Sequence, residues 1–180
     1  MSLKPNYSSR SRSEKVADQC ARIDPKGEIA RYSCWGAVLH VLYLKNVISK
    51  SKFDALNGAT EPEKYRDLFP RDCPVVGSSK EFQDIPRGSI VGFFKKRNGE
   101  YFLAHAMIYV GDGEAYGLNN GAIGGSPKWE VMRLTSNATA HWGAPLSFSY
   151  EEMGRPGPRV PVEVRYRDID DMNTPGCAIM

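Results

Sequence analysis

No stretch of this 180-residue chain approaches the roughly 18 consecutive apolar residues that a membrane-spanning helix needs, and its first fifteen residues are polar and serine-rich, without the apolar segment of a secretory signal. Neither a transmembrane nor a Sec-exported protein is expected. Charge of one sign is missing as well: 24 Lys and Arg stand against 21 Asp and Glu, a net +3 with the basic residues scattered, so nucleic acid is not an implied partner. The four cysteines, Cys20, Cys34, Cys73 and Cys177, form neither a CxxC pair nor a Cys/His cluster, which leaves no support for a zinc site or any other metal or cofactor. A disulfide framework has no better support, because a chain this long can bury a core without staples. What is plentiful is turn formers: 17 Gly and 12 Pro, too many for a helical bundle and fitting for short strands joined by tight turns.

Residues 1–15 carry almost nothing apolar and read as a flexible leader. From Ser33 the pattern changes. Trp35, Val38, Leu39, Leu42, Leu44, Val47 and Ile48 recur at helical spacing, which predicts a helix capped by Ser33 and ending near Ser49 to Lys52. A short second helix is expected over Lys52 to Leu56, then a long connection over 58–84 with one helical turn around Glu63 to Leu68. Next the period becomes that of strands: Gly88 to Phe94, an Asn98, Gly99 turn, Tyr101 to Val110, a turn at Gly111 to Gly113, Glu114 to Asn119, and Trp129 to Leu134. A helix followed by an antiparallel meander is an α+β domain rather than a parallel α/β fold. Residues 16–153 are the expected domain, and 154–180, with Pro and Gly at its start, the expected loosely attached tail.

Cys34 falls in the first turn of the main helix, where free amides and the helix dipole favour an anion and lower a thiol pKa. By position alone it is equally a small buried hydrophobe. His105 adds weight to the chemical reading. It lies mid-strand between Ala104 and Ala106, whose small side chains leave room, and an imidazole delivered from the sheet to a cysteine at a helix start is the arrangement that Cys/His nucleophilic catalysis requires. A third polar group, from the next strand on the same face, would orient the imidazole. By strand parity that is Asn119, with Asn120 next and Asp112, in the turn, a poorer choice.

The segments YSCWGAVLHVLY, IPRGSIVGFF and AHAMIYVGDGEAYGLNNG together resemble the papain-like cysteine amidases and peptidases of the NlpC cell-wall type and related secreted effectors. The resemblance covers roughly residues 32–120. It implies a papain-like core with an N-terminal catalytic helix packed on a small antiparallel sheet, and makes Cys34 the nucleophile and His105 the general base and acid. It further implies a hydrolase acting on an amide bond, foremost in peptidoglycan stem peptide. Two positions depart from the pattern: the third polar residue, commonly a His about twelve places after the first, is Gly117 here, and the cysteine follows Ser33 rather than Asp. Tyr32 could help position substrate or the oxyanion, Trp35 and Asn120 are further candidates for that surface, and the Cys34 amide would belong to the oxyanion hole.

With no signal peptide, such an enzyme would act as an antibacterial effector injected into the periplasm of a target cell, and an immunity protein would be its natural partner. The last four residues, Cys177 to Met180, fit a prenylation pattern, although Asp168, Asp170 and Asp171 stand where basic residues would be expected. Prenylation of Cys177 is the one route to a membrane, and it points to the alternative reading: a host-directed protease, deamidase or transglutaminase-like toxin in a eukaryotic cytoplasm. A catalytically silent binding module of the same fold is the third. His141 in AHWGAP is expected to pack, His40 to sit on the far side of the helix, Gly121 to Gly125 to form a flexible rim, and Cys20 and Cys73 to be core thiols.

Overall fold

The structure, a computed structural model, describes residues 11–57, 65–66, 68–70, 72–76, 79–119, 127–134, 148–150 and 160–173. Three helices come first: α1 (Arg12–Cys20), α2 (Cys34–Leu44) and α3 (Lys50–Leu56). Each starts behind a serine whose side chain accepts a bond from an amide of the first turn, Glu14, Gly36 and Lys52 respectively, satisfying a donor the helix itself cannot. Six strands follow: β1 (Ile90–Arg97), β2 (Glu100–Gly111), β3 (Glu114–Asn119), β4 (Lys128–Arg133), β5 (Phe148–Tyr150) and β6 (Val160–Arg167). They lie in the order β4-β3-β2-β1-β6-β5, every neighbouring pair antiparallel. The α+β class and the β1 to β4 meander match the sequence reading. The two tight turns occur where Asn98 with Gly99 and Asp112 with Gly113 take positive φ, the conformation that right-twisted hairpins need.

Three expectations are corrected. Helix α2 stops at Leu44, not near Ser49, because Asn46 adopts the left-handed conformation (φ 55°) and the Val47 amide bonds back to the Leu42 carbonyl, a cap that closes a helix even when more apolar residues come after it. Residues 12–15, expected in the leader, belong to α1, which begins at Arg12, buries Val16, Ala17 and Cys20, and is fastened by the Ser13 amide and hydroxyl, both donating to the Asp170 carboxylate. Residues 160–173, expected in the loosely attached tail, are part of the fold. Strand β6 pairs along β1 from Ile90↔Arg167 to Lys95↔Val162 and lies between β1 and β5, and Ile169 behind it is fully buried. The expected helical turn around Glu63 to Leu68 falls largely outside the described residues.

The sheet carries a core on each face. Ile90, Phe94, Ala106, Ile108 and Leu118 pack with α1, α2 and α3. Val91, Phe93, Met107, Tyr109, Ala115 and Val164 form the other core, closed by Val76, Phe82 and Ile85. The connection before β1 thus covers a sheet face, and Val76 is tied there through its amide to the Val164 carbonyl.

Candidate active site

Ser33 fixes where α2 begins, so Cys34 is its first residue, half-buried. Burial pushes the thiol above its ordinary pKa, and the amides of Ala106, Trp35 and Cys34 itself pull it back. Two of these amides belong to the start of α2, where the helix dipole also favours negative charge. The third comes from β2, one residue beyond His105.

Strand geometry explains why that amide is available. The Tyr109 amide donates to the Ser89 carbonyl on the β1 side, so by alternation Ile108 and Ala106 turn theirs toward β3. Pairing between β2 and β3 runs only from Gly111↔Glu114 to Ile108↔Tyr116. Ala106 lies past it, and its amide is one of the groups that lower the Cys34 thiol.

A bulge places the imidazole. Phe93 pairs with His105 but Phe94 with Leu103, which leaves Ala104 as an extra residue in β2 and re-aims the side chains beside it. The His105 ring lies 5.9 Å from that of Phe93. On β3, a Cβ on Gly117 would stand 3.4 Å from the buried His105 Nε2 and 2.9 Å from Met107 Cγ. The absent side chain at 117 is therefore the one that would touch the imidazole.

Of the residues singled out by sequence, Cys34 stands at the start of α2, whereas His105 and Gly117 lie together beside Phe93 and Met107, residues of the core on the other sheet face. Tyr32 lies elsewhere: its hydroxyl donates to Glu28 (2.8 Å) and its ring packs on His40 and Phe53, which seats it in the α2/α3 joint. Trp35 is buried against Phe69 with ring centroids 5.9 Å apart. Asp112 is exposed in its turn. Asn120, Gly121 to Gly125, His141 and Cys177 lie outside the described residues. Cys20 and Cys73 are buried free thiols, as expected, with burial driving Cys20 strongly upward and Cys73 to about 11. The contribution of Ala106 has no counterpart in the sequence reading: a backbone donor has no residue signature, and only the end of the β2/β3 pairing frees it.

His40 is a buried imidazole whose Nδ1 has no hydrogen-bond partner among the described residues. Burial lowers its pKa below the usual 6.5, against the opposing charge of Glu28. Below that value the unfolded chain takes up a proton that the folded one resists, so stability falls as pH drops from about 6.5. A lower urea midpoint at pH 5.5 than at pH 7.5 is expected, with His40→Leu removing part of the difference. An unchanged difference in that variant would assign the pH dependence to other groups.

Among the described residues no group of His, Cys, Asp and Glu is arranged to hold a metal ion. Comparison with protein-family models, with curated proteins and with solved structures finds no match to this chain.

Proposed function

We propose that this chain is a cysteine amidase or peptidase with a papain-like core, in which Cys34 is the nucleophile and His105 the general base and acid. The observation that carries the reading is Cys34 as the first residue of a serine-capped helix, with the amide of the residue next after His105 among the groups that lower its thiol. A thiol raised by burial rests protonated near neutral pH, so deprotonation belongs to the attack itself. His105 takes the proton as sulfur adds to the carbonyl carbon. The carbonyl oxygen becomes an oxyanion, and the Cys34 and Trp35 amides are the donors at hand. Collapse expels the amine, which leaves with the proton from the imidazolium, and a thioester remains. Water then attacks, His105 takes its proton and returns it to sulfur, and the acid is released. Asn119 is the orienting residue in this reading, chosen for its place on β3, the strand next to β2.

The substrate proposed is peptidoglycan stem peptide, with delivery into the periplasm of a target cell and an immunity protein as partner, on the strength of the resemblance of residues 32–120. Incubation with purified sacculi tests it: the wild-type chain should change the muropeptide profile and Cys34→Ala should not. A folded wild-type protein that leaves the profile unchanged removes peptidoglycan as substrate.

A further inference from the structure

A cavity of about 370 Å³ opens near the β1/β2 turn, away from Cys34. Its lining includes Phe69 and Phe94, in edge contact at 5.4 Å, and Tyr65, 6.0 Å from Phe94. The Tyr65 hydroxyl donates to the Tyr101 carbonyl and accepts from the Leu103 amide, each at 3.1 Å, which sets its ring rigidly against β2. Charge enters from three side chains. Arg165 lies between the Phe94 and Tyr101 rings, its guanidinium carbon 5.9 and 5.8 Å from their centroids, and its Nε donates to Glu163. Arg66 is exposed at the same cavity, and Glu100 stands on its wall.

These groups select a ligand class. A cavity of this volume, floored by aromatic rings, admits an apolar group of amino-acid to dipeptide size. Guanidinium groups present forked donors that match a planar carboxylate. Glu163 already offsets Arg165, which leaves the exposed Arg66 to meet a single carboxylate and Glu100 to accept from an N–H, and leaves too little positive charge for a phosphate dianion. We propose that this cavity binds a carboxylate-bearing apolar ligand, such as an N-acylated amino acid or a peptide C-terminus, with its apolar part on Phe69, Phe94 and Tyr65 and its carboxylate at Arg66. The aromatic row Trp35, Phe69, Phe94 joins the cavity to the residue next to Cys34. Its use as a specificity pocket rests on the catalytic reading, whereas binding itself does not.

The test uses the full chain carrying Cys34→Ala, so that nothing is turned over, with N-acetylphenylalanine and N-acetylphenylalaninamide as probes. In calorimetric titrations at low salt the acid should bind roughly tenfold more tightly than the amide, the effect of one charge-assisted contact, and Arg66→Gln should erase that preference. Because Arg66 is exposed, its replacement should leave the urea midpoint in place, which separates lost binding from lost folding. Equal binding of acid and amide would overturn the proposal. So would a preference that survives Arg66→Gln, or no binding of either probe at about 10 mM, a concentration above the dissociation constant of even a weak specific complex. Probe binding with no muropeptide release by the wild-type chain would count against the proposed substrate and leave this cavity's ligand standing.

Discussion

On the proposed mechanism Cys34→Ala should abolish amide cleavage, and His105→Ala should lower kcat/KM by at least about a thousandfold, since a nucleophile and its base act as one unit. The double variant should then be no worse than the weaker of the two single ones, because each substitution alone already removes the covalent route. Neither loss is expected to come from unfolding. Cys34 is half-buried at the first position of α2 and Ser33 still caps the helix, so alanine there keeps a small apolar side chain and a capped start. Coupled assays of cleavage and urea unfolding on the same preparations check both statements. Retention of more than a tenth of wild-type cleavage by folded Cys34→Ala would remove the nucleophile from the account.

The largest expected effect on stability lies at Gly88. Its φ is +90°, and a Cβ there would sit 2.0 Å from the Ser13 carbonyl oxygen and 2.4 Å from the carbonyl carbon. Backbone is on both sides of that clash, so no side chain can swing away to relieve it. Gly88→Ala must displace α1, and with it the Ser13 to Asp170 bonds that join the first helix to the segment behind β6. A loss of at least about 3 kcal/mol in urea unfolding is expected, combining overpacking with left-handed strain. Gly99→Ala is the matched control: φ is +82° but nothing lies within 4 Å, so only the strain remains, about 1 kcal/mol. Equal losses in the two variants would mean that α1 does not pack as described.

These two sites also mark what is legible in the sequence. The turns, the meander and the start of α2 are readable because each rests on local chemistry: Asn98 with Gly99, the alternation in β2 and β3, and Ser33 before an apolar run. Cys34 and His105 are readable for the same reason, one at a capped helix start and one mid-strand between alanines. The end of α2 is not, because Asn46 closes the helix inside an apolar run that continues through Ile48. Strand β6 escapes because Pro and Gly at 154–161 read as a tail, while its pairing with β1, some 70 residues earlier in the chain, leaves no local trace. The cavity at Tyr65 and Arg165 is hidden likewise, since it joins residues from the connection, the β1/β2 hairpin and β6. Gly117 is visible as a departure, and the structure gives it a physical content: the missing side chain is the one that would lie against the His105 imidazole.

The paired action of Cys34 and His105 is tested most directly by iodoacetamide labelling at pH 7 and then peptide mapping, in the wild-type chain and in His105→Ala. Burial pushes all three described thiols upward, but Cys20 and Cys73 are buried whereas Cys34 is half-exposed. Cys34 should be alkylated well ahead of both, and its rate should fall in His105→Ala, which loses the base that accepts the thiol proton. Labelling of Cys34 no faster than that of Cys20 and Cys73, or at a rate that His105→Ala leaves unchanged, would contradict the pairing.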